Sequence, residues 1–114
     1  MATKTIRFAQ LSPARRTLVQ MCQALNFGQI QGLRLRDAEP VLYPPPVVLV
    51  ETRLDLADEP RPEIKLKDFE LPDELCRLMA RLDEIRNGMI ERIEVRGGPP
   101  RRLVFESLLT KALR

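Results

Sequence analysis

The sequence predicts an α+β domain in which two helix–β-hairpin units, an internal repeat, share a four- to five-stranded, mainly antiparallel sheet with the helices on one face. Three observations predict it. Residues 14–43 laid over residues 74–103 without gaps match Leu18 to Leu78, Gly28 to Gly88, Ile30 to Ile90, Arg36 to Arg96 and Pro40 to Pro100. That is five identities where ordinary composition gives roughly two. The residue classes also repeat: apolar residues at 18, 22 and 25 answer those at 78, 82 and 85, and Ile30, Leu33, Leu35 answer Ile90, Ile93, Val95. Finally, both segments share one irregularity. Ile30 and Leu33 are three apart, as are Ile90 and Ile93, whereas same-face residues of a regular strand are an even number apart. Either each strand begins only after its isoleucine, or a bulge at Gln31-Gly32 and at Glu91-Arg92 switches the parity.

The elements follow in order. Thr3–Ala9 reads as a short strand with Ile6 and Phe8 on one face. Ser12-Pro13 starts a helix, because Ser is a good N-cap and Pro in the first turn loses only an N–H that has no partner there. That helix runs to about Asn26 on a stripe of Leu18, Cys22 and Leu25, and Gly28 is placed to close it in a left-handed conformation. Leu33 and Leu35 lead into a turn over Arg36–Pro40, and Val41–Tyr43 returns. Pro44-Pro45-Pro46 makes a rigid corner. Val47–Leu56 then reads as a one-sided antiparallel strand, with Val48, Val50, Thr52 and Leu54 on its apolar face. Ala57–Glu63 is a charged, proline-bearing loop, and Ile64–Leu71 has the makings of an edge strand.

The second unit repeats the grammar. Pro72, Asp73 and Glu74 open a helix with rigid φ and negative charge at its N-terminus. Leu75, Leu78, Met79, Leu82 and Ile85 form its stripe, and Asn87-Gly88 stops it. Ile93 and Val95 lead through Gly97-Gly98-Pro99-Pro100 to Leu103–Phe105, in a connection two residues longer than the first and expected to project as a tip. A short helix over 108–113 ends the chain. The expected core is Leu18, Leu25, Leu33, Leu35, Val48, Val50, Leu78, Leu82, Ile93, Val95, Leu103 and Phe105. The whole of 1–114 is one domain: a first unit over 14–43, a connector over 44–71, and a second unit over 72–107.

Composition narrows the function. The chain is 44% apolar and 31% charged, as globular domains are, with 4% aromatic residues and no Trp, so its core is aliphatic. Nothing approaches the roughly 18 apolar residues of a membrane span or the apolar stretch of a signal peptide, and a cytoplasmic setting with no membrane partner is expected. There is no histidine, hence neither the usual general base nor the commonest metal ligand. Cys22 and Cys76 are too few for a zinc site and sit on apolar helix stripes, where thiols pack as small hydrophobes. Asp58-Glu59 and Asp83-Glu84 read as solvated pairs. Neither catalysis, a metal nor a cofactor is expected.

Charge is uneven along the chain: net +4 over residues 1–43, −4 over 44–73 and +3 over 74–114. Both units are basic, and arginine outnumbers lysine by fifteen to four. Arg34 and Arg36 flank the first turn, while Arg92, Arg96, Arg101 and Arg102 flank the second. Arginine's planar fork suits phosphates and guanine edges, and a two-stranded ribbon fits a groove, so weak nucleic-acid binding through these hairpins is the leading expectation. Arginines alternating with core residues also serve simply as the polar face of a half-buried strand. The alternative from another class is protein association: an exposed strand edge at Val48, Val50, Thr52 and Leu54 would recruit a partner chain or a second copy, giving a homodimer.

The order helix, Phe27-Gly28, strand, Asp37 resembles the small bacterial proteins of the YezD type, which run helix, aromatic-Gly, strand, Asp-Gly turn, strand. The likeness covers about thirty residues. This chain carries one extra residue between Gly28 and Asp37, and Ala38 where the turn glycine would stand. The resemblance implies a bacterial cytoplasmic setting and carries no activity or site.

Overall fold

A computed structural model describes residues 6–55 and 67–106. The expected loop over 57–63, the terminal helix over 108–113 and the first residues of the N-terminal strand lie outside the described residues. The described part is α+β: helix α1 (Pro13–Leu25) and helix α2 (Asp73–Ile85) lie on one face of an open antiparallel sheet of five strands. These are β1 (Phe27–Arg36), β2 (Glu39–Val41), β3 (Val47–Val50), β4 (Gly88–Arg96) and β5 (Pro100–Phe105). The order is β2-β1-β4-β5, and β3 pairs with β1 as well. Because β4 occupies one side of β1 along nearly all its length, β2 and β3 share the other side, at Arg34–Arg36 and Gly28–Gln31 respectively.

Both helices start as the residues require. The Ser12 hydroxyl oxygen accepts from the Arg15 N–H at 3.2 Å, and Pro13 is the first residue of α1. Pro72 precedes α2, whose first turn carries Asp73 and Glu74. Their ends depart from expectation. Asn26 (φ 59°, ψ −56°) and Arg86 (φ 59°, ψ −60°) end the helices in a positive-φ conformation outside the left-handed helical region, and Gly28 and Gly88 enter the strands at φ 152° and 150°. A non-glycine residue can hold that conformation where the next strand fixes its neighbours.

The odd spacing lies within continuous strands: the β1–β4 register runs unbroken through it, β4 slips against β5 there, and β1 changes parity at the positive-φ Gly32. Ile30, Leu33, Ile90 and Ile93 are all fully buried. Gly32 sits at φ 70° with open space around it, and the β4–β5 register slips between Ile90 and Arg92. At the centre of the sheet Ile30 pairs with Ile93 and Leu33 with Ile90, so exchanging the offset of sixty between partners turns one pair into the other. Gly28 with Val95 and Leu35 with Gly88 obey the same rule.

The hairpins are latched crosswise. The N–H of Ala38, in the first turn, donates to the carbonyl of Arg86 at the end of α2 at 2.7 Å, and the N–H of Gly98, in the second turn, donates to the carbonyl of Asn26 at the end of α1 at 3.0 Å. The first turn is the two residues Asp37-Ala38, both left-handed. The second has three residues, closed by the Arg96 N–H on Pro99 at 3.2 Å. It is therefore one residue longer, not two. Gly98 and Pro100 are buried, so this turn folds back onto the helix layer, where a projecting tip was expected.

One core cluster joins both helices to β1 and β4. It contains Leu18, Leu25, Leu33, Leu35, Leu78, Leu82, Ile93 and Val95 as expected, together with Val19, Cys22, Ile30, Leu75, Met79 and Ile90, while Leu103 and Phe105 are half-buried against it. Val48 and Val50 are not core residues: both are exposed. Their pairing partners Ile30 and Gly28 put them on the helix side, but β3 lies beyond the edge of the helix layer. Near the N-terminus no strand forms over the described residues 6–9. Arg7 makes a single bridge to Glu70, Phe8–Gln10 is a 3-10 turn, and Phe8 stacks on Phe69 with centroids 4.9 Å apart.

Arg15 fastens α1 to the first hairpin. Its side chain is 13% exposed. Nε donates to Glu39 Oε2 at 3.1 Å, and Nη2 donates to the Ala38 carbonyl at 2.9 Å and to Asp83 Oδ1 on α2. Ser12, having capped the helix, also donates its hydroxyl to Glu39.

Candidate functional site

The sheet face opposite the helices carries no covering element among the described residues. Residues alternate between faces along a strand, and direct cross-strand partners share a face. With Leu33, Leu35, Ile93 and Val95 inward, Arg34 and Arg36 of β1 and Arg92 and Arg96 of β4 point to the open side. Arg102 of β5 joins them, being paired with Glu94. All five are exposed. Gln29 and Gln31, joined by a 3.1 Å amide hydrogen bond, lie between, and Val41, Val47, Leu49, Met89 and Val104 fill the same surface.

Acidic groups offset part of this charge, and Glu51 lines the same hollow as Glu94 and Arg96. Glu94 stands 3.8 Å from Arg92. Glu39, opposite Arg36 in register, is turned away toward Arg15 and Ser12. Arg34, Arg36, Arg96 and Arg102 form no ion pair with another described residue. Of the six arginines expected to act together, Arg101 is the exception. Next to Arg102 on the strand, it points to the helix side, where it pairs with Glu74 of α2 at 2.7 Å. The arginines thus cover a face, roughly 30 Å from Arg36 to Arg96 at about 3.3 Å per residue, and do not shoulder a projecting ribbon.

The expected partner-binding strand is shorter than its sequence suggests. Pairing ends when β1 ends: Glu51 N–H donates to the Phe27 carbonyl at 2.9 Å, and β3 stops at Val50. Thr52 and Leu54 lie outside the strand, Leu54 with 97% of its surface exposed. Nor is the strand one-sided. Val47, Val48, Leu49 and Val50 are 55%, 43%, 47% and 66% exposed, so an apolar edge meets solvent on both faces.

The cysteines are both free. Burial pushes the Cys22 thiol up to about 12, and burial also raises the half-exposed Cys76, whose Sγ lies 3.6 Å from the Leu71 carbonyl. Since the thiolate is the nucleophile, iodoacetamide at pH 8 should modify Cys76 slowly and leave Cys22 untouched until the protein unfolds. Mass spectrometry of the native and denatured protein checks this.

Sequence reasoning missed Gln23. It is the one buried polar residue among the described residues, and its Oε1 has no hydrogen-bond partner. The signal in the sequence was its place four residues after Val19, on the flank of the apolar stripe. Comparisons with protein-family models, with curated proteins and with solved structures give no match.

Proposed function

We propose that the protein binds a nucleic-acid backbone across the open face of its sheet, and that it does so without catalysing a reaction. One observation carries this: the fold gathers Arg34, Arg36, Arg92, Arg96 and Arg102, from three strands, onto one uncovered surface where Glu94 and Glu51 are the nearby carboxylates and offset only part of the charge. Guanidinium groups on a flat face meet successive phosphates, while the few aromatic residues offer little base stacking. Binding is therefore electrostatic and weakly sequence-selective.

The test is a titration of fluorescent single- and double-stranded oligonucleotides at several salt concentrations. Affinity should fall steeply with salt, by a slope of about 0.9 per phosphate contact on duplex. Arg34→Gln, Arg92→Gln, Arg96→Gln and Arg102→Gln combined should remove most of that slope. Arg101→Gln, on the other side of the sheet, should leave it unchanged. Retention of full affinity by the quadruple variant would sink the proposal.

A second reading is favoured by the four exposed apolar residues of β3: pairing of that edge with the same edge of a second copy. Here Leu49→Lys should convert a dimer to a monomer by sedimentation while leaving the salt slope intact.

We also read the two halves as copies of one helix–hairpin unit. Thirteen-residue helices starting sixty positions apart, matched positive-φ residues at Asn26 and Arg86, and matched glycines at 28 and 88 support it. The likeness of Phe27-Gly28 and its surroundings to YezD-type proteins fits a unit of that size, in a bacterial cytoplasmic setting.

A further inference from the structure

The open face carries an aromatic ring at one end of its arginines. Of the four phenylalanines, Phe8, Phe69 and Phe105 lie in the core cluster or pack against it, and Phe27 does neither. Phe27 is the direct partner of Arg96 across β1 and β4, and direct partners share a face, so its ring stands on the open side beside that guanidinium. Gly28, the next residue, is turned the other way: a Cβ added there would meet Leu25 of α1 at 2.8 Å. The Phe27 side chain is partly exposed.

The strand pairing also sets the arginines in a row. At the level of Phe27 on β1 stands Arg96; at the level of Gln29 stands Arg102, through its partner Glu94; at the level of Gln31 stands Arg92. Arg34 and Arg36 continue the row on β1 itself. Successive levels lie two or three residues apart, or about 7 to 10 Å at roughly 3.3 Å per residue. Steps of that size suit the phosphates of one strand drawn straight. A duplex, by contrast, is a cylinder that touches a flat sheet along a narrow line, and its bases are stacked inside, beyond the reach of a ring on the sheet.

We propose that the nucleic acid on this face is single-stranded, its backbone following the row from Arg36 to Arg96 and one base stacked on Phe27 at the end. The inference rests on the reading of the open face as a nucleic-acid surface, and adds the kind of strand and the residue that selects it. Every base has a π-face, so stacking on one ring is tolerant of sequence, and with a single stacked base the ionic contacts still dominate affinity. Glu51 lies opposite Phe27 on the β3 side and repels phosphate, so the backbone passes on the Arg96 side of the ring.

The experiment uses Phe27→Trp, which places an indole in a chain that has no other. Its emission should be quenched saturably by an oligodeoxycytidylate of about ten nucleotides, and not by a duplex of the same length, which should also bind more weakly. Phe27→Leu should weaken binding of the single strand about tenfold at fixed salt while leaving the salt slope unchanged, and Phe27→Tyr should keep the parent's affinity. Should Phe27→Leu not fold, the indole titration carries the test. A single strand that binds without quenching the indole, or that binds Phe27→Leu as tightly as the parent, overturns the proposal, as does a duplex that binds as tightly as the single strand. If the parent binds neither, the reading of the open face falls as well.

Discussion

Gly28→Ala should destabilise the protein by about 3–6 kcal/mol, whereas Gly88→Ala should cost only about 1–3 kcal/mol. The two glycines share one backbone conformation, φ 152° and 150°, which side chains rarely adopt, so the strain from φ is common to both. Their surroundings are not. A Cβ on Gly28 would stand 2.1 Å from the Leu49 carbonyl oxygen and 2.8 Å from Leu25 Cδ1, while one on Gly88 meets only Ile85 Cγ2 at 3.8 Å. The Leu49 contact is backbone, which cannot rotate aside, so relief requires β3 to move off β1. Urea denaturation measures the two costs. Hydrogen exchange at the Glu51 amide, which donates to Phe27, reports whether β3 has detached. Equal losses in the two variants would show that β3 does not press on Gly28.

Arg15→Met should cost about 2 kcal/mol, although it preserves the aliphatic stem that packs beside α1. The guanidinium makes three hydrogen bonds from a side chain 13% exposed, and one of its acceptors is the carbonyl of Ala38, a left-handed residue in the tight turn. Its acidic partners are 42% and 65% exposed and recover hydration when the arginine goes, which keeps the loss below that of breaking a fully buried pair. Arg15→Lys should restore only part of the stability, since a single ammonium cannot span Glu39, Ala38 and Asp83 together. Thermal denaturation of the three proteins in low and moderate salt checks the order. A methionine variant as stable as the parent would remove Arg15 from the account of how the hairpin is held.

Local chemistry made much of this fold legible. Ser12-Pro13 fixed the start of α1, the apolar stripes gave the buried faces of both helices, and the odd spacing of Ile30 and Leu33 pointed to the change of parity where Gly32 stands. What depended on distant partners was not legible. Val47–Leu56 alternates well enough for ten residues of strand, yet only four pair, because β1 begins at Phe27 and supplies no further partner. Gly97-Gly98-Pro99 has the composition of an exposed tip, but the Asn26 carbonyl draws it inward. Arginine composition pointed to a basic surface and did not separate Arg101 from Arg102, which as neighbours on one strand face opposite sides of the sheet.

Because Arg86 completes the first turn and Asn26 completes the second, each half supplies the other with a bond it cannot make for itself. Each turn is thus completed by the helix end of the other half, and the described chain between the halves adds β3 to the sheet and Leu71 to the shared core. Damage to one piece is therefore felt by its companion, and the molecule loses its shape as a unit.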